Sequence, residues 1–178
     1  DALANRAFTG PMLRGEYPSD LLEDTASVTD WSFIRDGDLA DIHQPIDVLG
    51  VNYYSTATVR MWDGVSPKQQ NDGHKGAEGG TAWPGSDQVV EFVEQPGPYT
   101  AMGWNIAPEG LEELLVSLHD QFPGQALMVT ENGAAFDDTV AADGSVPDPE
   151  RLDYLRRHFT AAHRAMARGV DLRGYFVW

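Results

Sequence analysis

The chain contains no cysteine. That excludes disulfide staples and thiolate metal sites. Positive charge is scarce: Lys68 and Lys75 are the only lysines, and 12 basic residues face 28 acidic ones, for a formal net charge of -16. Such a surface repels phosphate backbones and anionic membranes, so neither nucleic acid nor membrane is an expected partner. No apolar run approaches the roughly 20 residues of a membrane-spanning helix. Gly-x-Gly-x-x-Gly, Walker and Gly-x-Ser-x-Gly patterns are all missing, which leaves nucleotide binding and serine-hydrolase chemistry without support. His43, His74, His119, His158 and His163 have no metal-ligand spacing, and Asp137, Asp138 and Asp143 lack the alternation of a calcium loop. No metal and no cofactor is expected.

What is present reads as a single globular domain. The chain has 178 residues, 42% hydrophobic and 22% charged, enough for a sizeable core. Asp47–Tyr54 is rich in Val, Leu and Tyr, which predicts a buried strand with Asn52 near its end. Leu21-Leu22 and Trp31–Ile34 read as short helical pieces. Residues 62–100, rich in Gly, Pro, Asp and Gln, read as one long surface loop. Pro108 opens a predicted helix on which Leu111, Leu114, Leu115, Leu118 and Phe122 recur at helical spacing. A strand over 126–130 follows, then an acidic loop. Asp148-Pro149 starts a second helix as N-cap and first turn. Its apolar stripe is read as Leu152, Leu155, Phe159, Ala162 and Met166, and Gly169 ends it. The last strand covers 172–178. Strand, helix, strand, helix, strand implies parallel strands with helical crossovers. The chain opens Asp1-Ala2-Leu3-Ala4 and closes on an apolar strand, so it is expected to be cut at both ends from a longer protein.

Within this order Glu131 stands out. It follows the apolar run Ala126–Thr130 at the carboxyl end of a predicted buried strand, where a carboxylate is costly unless paired or used. In parallel α/β folds that end is where active sites are built. The bland alternative is a surface acid beside an Asn132-Gly133 turn. Context favours the site. Asn52 and Tyr54 end one parallel strand and Trp178 ends another, so an acid, an amide, a phenol and an indole converge on one rim. An indole face and a set of hydroxyl-binding polar groups suit a sugar.

Together these stretches resemble glycoside hydrolase family 1, the β-glucosidase family. The matching residues are Asn5-Arg6, Gly15–Pro18, Asp47–Tyr54, Met102–Trp104, Pro108–Leu111, Val129–Phe136, Arg151–Leu155 through His158, Ala161–His163, and Gly174–Trp178. They occur in the family's order and span nearly the whole chain. The resemblance implies a (β/α)8 TIM barrel, of which residues 1–178 would be the C-terminal part of one catalytic domain, covering roughly strands 6 to 8. It implies Glu131 as the nucleophile of a retaining mechanism, with Tyr54 hydrogen-bonded to it and Asn52 near the catalytic pair. Trp178 would stack under the bound sugar, and Trp104 would stand at the mouth where the leaving group sits. The substrate would be a small β-glycoside or oligosaccharide, and the location cytoplasmic.

A retaining glycosidase needs two carboxyl groups. The family's acid/base glutamate lies in a Thr-x-Asn-Glu-Pro stretch, which these residues do not contain. The chain alone is therefore expected to be inactive. Two other readings remain: a 6-phospho-β-glycosidase of the same family, whose phosphate-binding residues would lie beyond Trp178, and a non-catalytic sugar-binding homologue.

Overall fold

A computed structural model of the chain describes residues 2–66 and 89–178. Most of the segment read as a 62–100 loop thus lies outside the described residues, together with Lys68, His74 and Lys75. The described residues divide into two compact units, one built on residues 2–46 and the other on 47–66 and 90–178.

The first unit is helical. A π-helical turn Ala2–Arg6 runs into α1 (Ala7–Arg14), followed by α2 (Ser19–Thr25) and α3 (Asp38–Ile42). Arg6 forms an ion pair with Asp20, and the His43 ring bonds to the Met12 carbonyl at 3.0 Å. Leu21 is completely buried, in line with the short helix predicted there. Trp31–Ile34 is a turn and not a helix. Trp31 adopts a positive φ of 59°, its indole N–H donates to Thr25 Oγ1 at 2.8 Å, and its ring packs between Tyr17 and Phe33. An apolar side chain used in this way gives a helix-like count without helical backbone.

The second unit contains the parallel sheet. Its strands are β1 (Leu49–Asn52), β4 (Leu127–Asn132) and β5 (Leu172–Val177), in the order β1-β4-β5 and parallel throughout. Between β1 and β4 come the antiparallel pair β2 (Thr58–Met61) and β3 (Val90–Val93), then α4 (Pro108–Gln121); α5 (Pro149–Ala167) joins β4 to β5. Of the described part of the segment expected as loop over 62–100, Val90–Val93 is instead strand β3, paired with β2 just before that segment. All four β2 residues are exposed; the polar/apolar alternation of Thr58-Val59-Arg60-Met61 marks a strand that buries neither face.

Both crossover helices pack on one face of the sheet. Val51, Tyr53, Leu127 and Val129 from the strands meet Leu111, Leu115 and Val116 of α4 and Ala162 and Ala165 of α5. Burying a Leu or Val side chain in this way contributes about 1.5–3 kcal/mol. The α4 stripe is as the periodicity predicts. Of the predicted α5 stripe only Ala162 is buried. The buried residues of α5 are Tyr154, His158, Ala161, Ala162 and Ala165, whereas Leu152 is 68% exposed and Phe159 and Met166 remain about half exposed. Alanines let the helix backbone approach the sheet, and the larger apolar residues flank the contact. At the N-terminus of α5, Asp148 occupies the N-cap position but makes no side-chain cap bond. Its carboxylate pairs with Arg151, which also reaches Asp138. No helix among the described residues is long and apolar enough to cross a membrane.

Candidate functional site

A break in strand pairing sets the direction of Glu131. Val51 pairs with Val129, but the next residue, Asn52, pairs with Glu131, leaving Thr130 as an extra residue in β4. Up to Val129 the odd-numbered residues of β4 face the helices. Without the bulge Glu131 would point into that apolar layer. With it, buried Asn132 takes the helix-facing position, and Glu131 lies half-buried beside exposed Thr130. Bulges re-aim side chains at strand ends in this way.

Tyr54 lies beyond the end of β1, next to Tyr53, which is buried on the helix-facing side like Val51 two residues before it. Its hydroxyl donates to Glu131 Oε2 at 2.7 Å. Desolvation, then the bond to Glu131 and the charge of that carboxylate, push the Tyr54 phenol up to about 12. The phenol therefore stays protonated at neutral pH and remains a donor to the carboxylate. Trp104 meets the Tyr54 ring edge-on, with centroids 5.3 Å apart. Asn52 is exposed, and its Oδ1 accepts a bond from Thr130 Oγ1 at 2.7 Å. Trp178 is joined through its backbone, its N–H donating to the Asn132 carbonyl at 2.8 Å, while its side chain leaves the residue 79% exposed.

The structure thus gathers Glu131, Tyr54 and Trp104 through direct contacts and places Asn52 and Trp178 at the ends of the flanking strands. Gly133 has no room for a side chain: a Cβ there would lie 2.1 Å from the Trp178 carbonyl oxygen. That close approach is why the strand can turn directly after Asn132 while β5 ends alongside. A cavity of about 300 Å³ opens beside this group, lined by Thr56, Phe92, Gln95, Tyr99 and Trp104 among others. Sequence reasoning did not foresee the contribution of Phe92 from β3, because its strand was read as loop.

These strand ends can be compared with known proteins. A family model described as Glycosyl hydrolase family 1 matches residues 1–178. The chain belongs to glycosyl hydrolase family 1. A bifunctional beta-D-glucosidase/beta-D-fucosidase from Bifidobacterium breve is 50% identical to it, over 100% of this chain and 38% of that protein. Among solved structures, a psychrophilic beta-glucosidase from Micrococcus antarcticus superimposes with a TM-score of 0.86 at 43% identity, over 100% of this chain and 38% of the other. A family 1 β-glucosidase from Thermotoga maritima in complex with isofagomine lactam gives 0.75 at 37% identity, over 97% of this chain and 34% of its own. The chain thus spans little more than a third of the length of these family 1 relatives. Family 1 enzymes are (β/α)8 barrels, and the three parallel strands with their helices form part of that fold.

Proposed function

We propose that this chain supplies the nucleophile half of the active site of a retaining β-glycosidase of β-glucosidase type, working as part of one catalytic domain in a longer enzyme. The observation that carries this reading is the 2.7 Å bond from the Tyr54 hydroxyl to Glu131 Oε2, made at the carboxyl ends of neighbouring parallel strands. A carboxylate held there by a neutral donor is fixed in direction and open on its other oxygen to a substrate.

The chemistry follows. A Glu131 carboxylate oxygen attacks the anomeric carbon as the bond to the leaving oxygen breaks. A general acid from outside this chain, about 5 Å away, protonates that oxygen. The glycosyl-enzyme ester is then cleaved by water, which gives its proton to the same residue. Trp178 stacks under the sugar, Asn52 binds near the reacting centre, and Trp104 with the adjoining cavity receives the leaving group. The chain alone has the nucleophile without the acid and turns over no glycoside.

The test uses the full-length enzyme. Glu131→Gln should lower kcat on an aryl β-glucoside by about four orders of magnitude or more and leave the fold intact. A 2-deoxy-2-fluoroglycoside should label the wild type covalently on the peptide containing Glu131. Near-wild-type turnover in the variant, or a label on another peptide, would sink the assignment.

A further inference from the structure

We propose that Asn132 is a positioning residue that sets the geometry of the Tyr54–Glu131 pair from the opposite side of the sheet. The inference rests on the reading of Glu131 as nucleophile. Asn132 is fully buried and is bonded to three elements at once. Its Nδ2 donates to the Tyr53 carbonyl of the β1 end at 2.8 Å and to the Tyr154 hydroxyl of α5 at 2.9 Å. Its Oδ1 accepts from the Tyr175 hydroxyl of β5. Both amide hydrogens are therefore used, and the oxygen is engaged as well.

The bond to Tyr53 matters most for chemistry. The Tyr53 carbonyl belongs to the peptide that carries Tyr54, and Asn132 is the residue after Glu131. The Tyr53 N–H donates to the Glu131 carbonyl at 2.9 Å. Tyr53, the residue leading into Tyr54, is thus joined to the Glu131-Asn132 segment by two bonds, one backbone and one from the Asn132 side chain. They lie just past the bulge, where regular pairing between β1 and β4 has shifted. The side-chain amide extends the ladder where the backbone register no longer does.

Asn132 touches neither substrate nor the reacting atoms, so its effect must pass through Tyr54 and Glu131. In the full-length enzyme Asn132→Ala should lower kcat on an aryl β-glucoside by about 100-fold, the scale of a small misplacement of reacting groups, with little change in KM. Tyr175→Phe, which removes only the donor to Oδ1 and preserves shape, should lower kcat several-fold with an unchanged thermal midpoint. It keeps the test open if Asn132→Ala fails to fold. The deciding readout is a double-mutant cycle. In a Tyr54→Phe background each change should lose most of its effect on kcat, because residues acting as one unit are not additive. Full additivity with Tyr54→Phe, or an unchanged kcat in Tyr175→Phe, would overturn the positioning role. A wild-type enzyme that turns over no glycoside would sink the functional reading itself, a result distinct from an active enzyme with additive variants.

Discussion

The two faces of the parallel sheet are built on different terms. The helix-facing side is closed: Leu127, Val129 and Asn132 are at most 1% exposed, and every large side chain there meets α4, α5 or another strand. The other side carries Gly50, Asn52, Thr130 and Glu131, none of them fully buried. Packing and direction come from the first face, and the proposed reactive groups stand on the second. The contrast shows how a chain can hold a carboxylate firmly without surrounding it. The firmness is supplied from behind, by a saturated amide and a packed apolar layer.

If that division is real, stability and activity should separate under mutation. The largest expected effect is the loss of turnover in Glu131→Gln, with the melting temperature of the full-length enzyme nearly unchanged. Next comes Leu111→Ala, on the closed side. Leu111 is 0% exposed, so its truncation should cost about 2–5 kcal/mol of stability, read by denaturant unfolding, while kcat of the folded fraction holds. A Leu111→Ala enzyme of normal stability and poor kcat would invert the comparison.

A smaller effect sharpens it through pH. His158 is buried and stacks on Tyr154 at 3.8 Å. Its Nδ1 bonds to the Tyr154 carbonyl at 2.8 Å, and its Nε2 has no partner among the described residues. Burial holds its pKa below the ordinary 6.5. Below that pH the unfolded chain therefore binds a proton that the folded chain refuses, and stability falls as pH drops. The slope from this one group is at most about 1.4 kcal/mol per pH unit. In His158→Phe the decline between pH 7 and 5 should flatten, measured by urea midpoints. An equal slope in both proteins would mean that the closed side tolerates the charge. The smallest effect belongs to the far face of α5. Arg156 is paired with Asp153 at an exposed site, and Arg156→Ala should change stability by no more than about 0.5 kcal/mol.

Much of this was legible in the sequence, for physical reasons that differ by element. The three parallel strands and α4 are marked by apolar runs and by leucines at helical spacing, because their partners are apolar on one side. Glu131 and Tyr54 were legible on one rim because both end such strands, and their hydrogen bond was expected only from the family resemblance. The α5 contact was misread because its buried face is made of Tyr, His and Ala, while Leu152 and Phe159 lie outside it. The β2–β3 ribbon was missed because its alternation covers only the four residues Thr58–Met61 of β2, all of them exposed. The place of Asn132 was hidden for another reason: beside a glycine an asparagine reads as a turn former, and only the extra residue at Thr130 reveals that its amide is turned inward. A parity count along 127–132, with an acid on the apolar phase, is the signal that could have found it.

That extra residue has a further consequence. The identity of the reactive group depends on phase as much as on composition. Removing Thr130 alone would leave Glu131, Asn132 and Gly133 in their order, yet rotate each by half a strand period. The carboxylate would then face the helices and the amide would face the opposite side of the sheet. A one-residue deletion in this strand is thus a swap of faces between neighbours, carried out without changing either of them.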